Sequence, residues 1–295
     1  MKNIAIDETF LQRVEMLQTV LKNNIAGLFG GNHKSRTYGS SCEFVDYRNY
    51  VAGDDITKID WNAYARFETL YLKLYLDERQ LHTKIYIDAS QSMAFGDGKK
   101  AETALRVAAT LAYLSVTELD RVSIFIIREN EVTEVISSLS GRERYFAEIG
   151  KLNDIEFKGN CSISEGILPT QVGYGDGLSV IISDFLTDSV NYENAIDYLA
   201  EKKRDVMCVQ VLSSEELNPK VRGKNVFYDC ENSSNSYRKN INRDVVLAYR
   251  QAVQFVQDRL RDYCNARGAE YVLVKDDKPV DEIFFEQLTG MGVLK

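Results

Sequence analysis

Short apolar runs alternate with longer amphipathic segments along most of the chain, and this alternation constrains the fold more than any other feature. The strand-like runs are Lys84–Asp88, Val122–Ile127, Val132–Ser137, Leu178–Ser183, Val206–Leu212 and Glu270–Val274. Helical spacing of apolar residues marks segments of about 99–118, 142–152, 191–203 and 242–266. Parallel strands need a crossover, usually a helix, so the pattern predicts βαβ units with right-handed crossovers. We therefore expect an α/β fold, an open and mostly parallel sheet with helices on both faces.

One pair of runs departs from the parallel pattern. Only Arg128–Glu131 separates Val122–Ile127 from Val132–Ser137, a connection short enough for a hairpin. We expect this hairpin to add a single antiparallel strand at the edge of the sheet.

The first 80 residues lie outside the alternation and are expected to form an N-terminal extension. It should contain, in order, an amphipathic helix of about 7–27 packed on the main domain, a glycine-rich basic loop around His33–Arg36, and a strand at Leu70–Leu76. The α/β domain then spans residues 81–295, with a polar insertion near 219–242.

Composition excludes several classes of function. The formal net charge of −8 repels a phosphate backbone, so we expect no nucleic-acid partner. No apolar run approaches the roughly 18 residues of a membrane span, and the N-terminus has no secretory signal pattern. The five cysteines are widely spaced and odd in number, which argues against a disulfide framework. These features favour a cytoplasmic protein without membrane insertion.

Polar side chains stand where two of the predicted strands end. Asp88, Ser90 and Ser92 follow the first strand of the α/β domain, and Asp184 follows the run at Leu178–Ser183. In an open α/β sheet with strand order 3-2-1-4-5, these two strands are neighbours at the point where ligands bind. Two carboxylates and two hydroxyls are hard oxygen ligands suited to Mg²⁺ or Mn²⁺. Neutral hydroxyls leave such a cation electrophilic toward a further carboxylate, which favours binding over hydrolysis.

The pattern D-x-S-x-S at Asp88–Ser92 resembles the metal-ion-dependent adhesion site of von Willebrand factor type A domains, with Asp184 matching that family's later aspartate. Upstream, "GDDITKIDWNAYAR" at Gly53–Arg66 resembles the signature of domain-of-unknown-function family fifty-eight, which couples it to a type A domain. The resemblance implies a partner protein that presents a carboxylate to the bound cation. It also implies a partnership with a MoxR-type AAA+ ATPase in protein assembly or remodelling.

One loop departs from the adhesion-site pattern. Type A domains usually supply a threonine from a Gly-Gly-Thr-Asp loop, and this chain has Gly159-Asn160-Cys161-Ser162 in that place. A neutral thiol is a poor ligand for Mg²⁺. Either Ser162 replaces the threonine as a ligand, or the site is weakened.

Other interpretations of the same residues stay open. Asp88, Ser90 and Ser92 could simply cap the following helix. Asp88 could be the nucleophile of a Mg²⁺-dependent phosphatase of haloacid-dehalogenase type, although Ser90 stands where such enzymes need an acid–base carboxylate. The domain could also bind partners without a metal. Only His33 and His82 are available for a hydrolytic triad, and neither lies in a suitable motif, so we expect no enzymatic activity.

Overall fold

A computed structural model describes residues 5–24, 44–75, 81–95, 99–129, 131–170, 172–175, 177–228, 236–279 and 282. The basic loop at His33–Arg36 and a helix predicted after Pro279 lie outside the described residues. Contacts divide the chain into two units, residues 1–24 with 81–295, and residues 25–80. The two units are described separately.

The larger unit is built on a six-stranded sheet. Its strands are β3 (His82–Asp88), β4 (Arg121–Arg128), β5 (Glu131–Leu139), β6 (Leu178–Ser183), β7 (Asp205–Leu212) and β10 (Glu270–Lys275). Their order is β10-β7-β6-β3-β4-β5. Only the β4–β5 pair is antiparallel among these neighbours, which confirms both the mostly parallel sheet and its antiparallel edge strand.

Helices cover both faces of this sheet. They are α1 (Glu8–Asn24), α3 (Lys99–Thr117), α4 (Arg142–Glu148), α5 (Ile163–Ile167), α6 (Ser189–Glu201), α7 (Ser214–Leu217) and α8 (Arg243–Arg267), with a 3₁₀ turn at Ile149–Asp154. Successive side chains of a strand point to opposite faces. Ile85 and Ile87 of β3 therefore join the core beneath α3, whereas Tyr86 joins a second core that includes Leu199 of α6 and Leu260 of α8. Both faces are buried, which is why the parallel strands are continuously apolar.

Helix α1 packs on the larger unit, as its amphipathic pattern predicts. Phe10 and Val14 belong to the same core as the strand residues. The chain just before the helix is held by Asn153, whose side chain accepts from the Ile6 amide at 2.9 Å and donates to the Ile6 carbonyl at 3.0 Å. The helix that we grouped with the extension of residues 1–80 therefore belongs by its contacts with the α/β domain.

The smaller unit contains the strands β1 (Phe44–Asn49) and β2 (Tyr71–Tyr75), paired antiparallel, and the helix α2 (Trp61–Phe67) after a 3₁₀ turn at Ile56–Lys58. Asp60 is the buried centre of this unit. One oxygen of its carboxylate caps α2 by accepting from the amides of Asn62 and Ala63, and the other accepts from the Tyr47 hydroxyl at 2.8 Å. Lys73 adds an ion pair at 3.3 Å. The segment Gly53–Arg66 thus contains a structural aspartate.

The polar insertion forms a hairpin that its sequence did not predict, with β8 (Gly223–Tyr228) paired antiparallel to β9 (Ser236–Ile241). Lys224, Asn225 and Lys239 give these strands no alternating apolar face. A hydrophobic pattern cannot reveal such an element. Among the described helices, none has the length and apolar character needed to span a bilayer.

Close packing of α5 against the sheet gives a direct test of the fold. A Cβ added at the buried Gly166 would lie 2.4 Å from Ile127 Cγ2, so this glycine permits the approach of helix and strand. We expect Gly166→Ala to lower the free energy of unfolding by about 1–3 kcal/mol through overpacking. Chemical denaturation followed by circular dichroism measures this change.

The matched control is Gly150→Ala. This glycine is exposed, and a Cβ there would meet nothing within 4 Å. Its substitution should change the free energy of unfolding by less than about 0.5 kcal/mol. Equal stability of both variants and the wild type would contradict the packing of α5 on β4.

Candidate functional site at the strand ends

The two strands that end in the candidate ligands are direct neighbours. Strand β3 pairs in parallel with β6 on one side and β4 on the other, with Ile87 opposite Ile182. The carboxyl ends of both strands therefore reach the same edge of the sheet, at its topological switch point. This confirms the predicted placement of Asp88 beside the end of β6.

Asp88 is buried and hydrogen-bonded through both carboxylate oxygens. Its Oδ1 accepts from the Ser90 amide at 2.9 Å, and its Oδ2 accepts from the Ser183 hydroxyl at 2.6 Å. Burial raises the pKa of Asp88, and the negative charge of Asp184 raises it further, while the serine hydrogen bonds act in the opposite direction. A positive charge at this edge would oppose both effects and favour the ionised carboxylate of Asp88.

Ser90 and Ser92 bring their hydroxyls side by side. Their Oγ atoms are 3.0 Å apart, with Ser90 buried and Ser92 partly exposed. Adjacent ligands in an octahedral Mg²⁺ shell, with Mg–O distances near 2.1 Å, are about 3 Å apart. The spacing of the two hydroxyls fits one edge of such a shell.

The turn after β6 holds Asp184 firmly. Its Oδ1 accepts from the Leu186 amide at 3.1 Å, and its backbone carbonyl accepts from Gln210 Nε2 at 2.7 Å. Phe185 follows with a positive φ of 52°, a conformation that non-glycine residues adopt only when their surroundings enforce it. The Phe185 amide donates to the Ser183 hydroxyl at 3.0 Å. The turn thus fixes the orientation of the Asp184 carboxylate, and the Ser183 hydroxyl donates a hydrogen bond to Asp88.

A buried lysine at this edge was not among the predicted site residues. Lys100 Nζ lies 3.0 Å from Asp184 Oδ2 and 2.8 Å from Glu216 Oε1, and its side chain is 1% exposed. The helical pattern contains a signal for it, since Lys100 shares a face of α3 with the buried Ala104 and Val107. For Glu216 the signal is the capping box that it forms with Ser213 at the start of α7.

The loop that carries Cys161 runs beside the Ala89–Gln91 turn. The Lys158 amide donates to the Ala89 carbonyl at 2.9 Å, and the Gln91 amide donates to the Gly159 carbonyl at 2.8 Å. The loop therefore lies at the edge where β3 and β6 end, which is where type A domains supply their threonine. Cys161 is partly buried there.

Ser162 has a structural task at this place. Its side chain caps α5 by accepting from the Glu165 amide at 3.4 Å, and its hydroxyl donates to Asn191 Oδ1 at 3.0 Å. These bonds tie Ser162 to α5 and α6. The hydrogen bonds that join Asp88, Ser90, Ser92 and Ser183 do not include it, so its role as a cation ligand stays a prediction.

The types of side chain at the strand ends determine which metal ion could bind there. Among the described residues, no three His, Cys, Asp or Glu side chains are grouped as metal ligands. A cation at the strand ends would therefore depend on serine hydroxyls and water as well as carboxylates. Such all-oxygen sets suit Mg²⁺ and Mn²⁺. With two hydroxyls spaced as octahedral neighbours and the carboxylates of Asp88 and Asp184 at the same edge of the sheet, the residues present fit a divalent cation.

Comparisons with known proteins agree with this architecture. A sequence profile of the family described as "Protein of unknown function DUF58" matches residues 46–258. Relatives include uncharacterized proteins of Mycobacterium tuberculosis and Mycobacterium bovis, each 24% identical over 232 residues, which cover 76% of this chain and 72% of the relative.

Solved structures with a similar fold include the conserved hypothetical protein BatB of Bacteroides thetaiotaomicron and the VWA domain of SpRpn10. BatB is 18% identical, with 72% of this chain and 98% of that chain covered and a TM-score of 0.40. The SpRpn10 domain is 10% identical, with 70% and 94% covered and a TM-score of 0.37.

Proposed function

Since this chain belongs to the DUF58 family and carries a von Willebrand type A-like domain, we propose that it is a non-enzymatic adaptor that binds a partner protein at its strand-end site. The observation that carries the proposal is the arrangement of Asp88, Ser90 and Ser92, with two hydroxyls 3.0 Å apart beside a buried carboxylate. It stands at the edge where open α/β sheets bind ligands.

Asp88, Ser90, Ser92 and Asp184 would hold the Mg²⁺ or Mn²⁺ ion, with Ser162 as a further candidate. When bound, the cation would supply an electrophilic centre for a carboxylate oxygen of the partner. The protein's own residues prepare the site. Ser183 orients Asp88 through the 2.6 Å hydrogen bond, and the Leu186 amide orients Asp184.

We propose that the partner is a cytoplasmic MoxR-type AAA+ ATPase or one of its clients. One support is the resemblance of the segment Gly53–Arg66, with its "GDD" and "IDW" motifs, to the family signature. The other is that a cation at the site would bind a carboxylate. The net charge of −8 repels a carboxylate-bearing surface at long range, so the attraction must arise at the contact itself. A cation at the contact would supply that local attraction.

Two alternative functions have specific support. A metal-free interaction domain is favoured by Lys100, which already provides a positive charge to Asp184. A phosphatase of haloacid-dehalogenase type is favoured only by the two strand-end aspartates and the Lys100–Asp184 ion pair, and Ser90 stands where the acid–base carboxylate would be needed. Turnover of an aryl phosphate that Asp88→Ala abolishes would establish the phosphatase.

Calorimetric titration tests the cation site. We expect Mg²⁺ and Mn²⁺ to bind the wild type, and we expect Asp88→Ala to weaken binding at least about tenfold because one of two carboxylates is lost. Asp258→Ala, which removes an exposed carboxylate on α8, is the charge-matched control and should bind like the wild type. Equal or absent heats in wild type and Asp88→Ala would refute the cation site.

A further inference from the structure

We propose that Lys100 sets the cation affinity of the strand-end site, because its ammonium group occupies Asp184 and competes with a divalent cation for that carboxylate. The inference rests on the proposed cation site and adds a residue that controls it. Three observations carry it, namely the contacts of Lys100, its burial and the position of Glu216.

The contacts place the ammonium directly on a candidate ligand. Lys100 Nζ is 3.0 Å from Asp184 Oδ2, and the other oxygen of that carboxylate already accepts from the Leu186 amide. Both oxygens of Asp184 are therefore engaged within the protein. A divalent cation must share an oxygen with the ammonium or displace it, and the two positive charges repel each other at that distance.

Because Lys100 is buried, the fold requires the ion pair between Lys100 and Asp184. Its side chain is 1% exposed and lies on the apolar face of α3, where an unpaired ammonium group would be strongly unfavourable. Asp184 and Glu216 supply the compensating charges at 3.0 Å and 2.8 Å. The ion pairs are thus the condition under which a lysine is tolerated here.

Glu216 gives the ammonium a second anchor. Glu216 Oε1 accepts from Lys100, while its Oε2 accepts from the Ser213 amide at 2.8 Å as part of the capping box of α7. This carboxylate draws Lys100 away from Asp184. Removing its charge should leave Lys100 bound more firmly to Asp184, whereas removing Lys100 should free Asp184 for the cation. The two substitutions therefore have opposite expected effects.

The experiment is a calorimetric titration of Mg²⁺, and separately of Mn²⁺, into wild type, Lys100→Met and Glu216→Gln. We expect Lys100→Met to bind the cation at least about tenfold more tightly than wild type, and Glu216→Gln to bind it several-fold more weakly. Lys151→Met, which removes an exposed lysine paired with Glu148, is the charge-matched control and should stay within about twofold of wild type.

Thermal unfolding gives a second readout. In EDTA, Lys100→Met should unfold at a lower temperature than wild type, because Asp184 has lost its buried counter-charge, and Mg²⁺ should raise this temperature more than it does for wild type. If Lys100→Met does not fold, Glu216→Gln still tests the proposal, since its carboxylate is closer to solvent and its predicted effect has the opposite sign.

The results separate this inference from the proposed cation site. Binding of Mg²⁺ or Mn²⁺ by wild type tests the cation site. The ratio of each variant's cation affinity to that of wild type tests the role of Lys100. Binding by wild type with unchanged affinity in both variants would overturn the role of Lys100 alone. Binding by Lys100→Met but not by wild type would support Lys100 and overturn the wild-type cation site. Absent heats in every variant would overturn both.

Discussion

Arg204→Met is expected to lower the free energy of unfolding by about 3–5 kcal/mol. Arg204 lies between α6 and β7 and is 7% exposed. Its guanidinium donates to the Ser179 hydroxyl at 2.6 Å, to the Leu178 carbonyl at 2.7 Å and to the carbonyl of His82. It therefore ties together the amino ends of β3 and β6, the strands whose opposite ends form the site.

The expected loss follows from what a methionine leaves behind. Two partly buried backbone carbonyls and one buried hydroxyl lose the hydrogen bond from Arg204, and an acceptor left unsatisfied costs about 1–3 kcal/mol. Gly177 indicates how close the approach is, since a Cβ there would lie 2.8 Å from a nitrogen of Arg204 and 2.7 Å from the His82 carbonyl oxygen. Water cannot easily replace the guanidinium in so narrow a space.

Urea unfolding followed by circular dichroism measures the effect. Arg261→Met is the control, because this arginine is exposed on α8, where it pairs with Asp258 and lies over the Tyr271 ring, with an expected change of no more than about 1 kcal/mol. Folded Arg204→Met should keep the wild-type response to Mg²⁺, since Arg204 acts at the other end of the strands. A loss below about 1 kcal/mol would show that Arg204 does not join the strands.

The second large effect is expected in partner binding. Asp88→Ala and the double variant Ser90→Ala with Ser92→Ala should each weaken capture of the partner by about 30-fold or more, because a close charged contact at an interface is worth about 2–5 kcal/mol. Asp88 contributes a buried carboxylate, and the two serines contribute the hydroxyls 3.0 Å apart. Both variants remove ligands while leaving the surrounding surface unchanged.

Circular dichroism must show that these variants are folded. The control is Ser137→Ala, which changes an exposed serine of β5. It should capture the partner as wild type does. Undiminished capture by both site variants would move the binding surface away from the strand ends.

The α/β architecture was predictable because it depends on burial. Strands covered on both faces must be apolar throughout, and their regular alternation with amphipathic helices leaves few possible topologies. The neighbouring placement of Asp88 and the end of β6 followed from the same argument and is confirmed by the β3–β6 pairing. Local apolar patterns were therefore sufficient to predict the sheet and the edge at which the candidate site lies.

Contacts between distant residues were not predictable in this way. Lys100 and Glu216 are 116 positions apart, and only the folded chain brings the Lys100 ammonium against both Glu216 and Asp184. The hairpin β8–β9 escaped prediction because polar residues interrupt any apolar alternation in its sequence, and the short helices α5 and α7 span too few residues for a period to emerge. The carboxylate of Asp60 likewise binds Tyr47 and Lys73, two residues that only the folded chain brings to it.

The most direct test of the account is capture of partners by the tagged protein from its own cells, in Mg²⁺ and in EDTA, with wild type and Asp88→Ala in parallel. Proteins retained are identified by mass spectrometry. The account predicts that an AAA+ ATPase or its client is retained by wild type in Mg²⁺ and lost both in EDTA and with Asp88→Ala. Retention of the same proteins by wild type and by Asp88→Ala, in Mg²⁺ and in EDTA alike, would contradict cation-dependent partner binding at the strand ends.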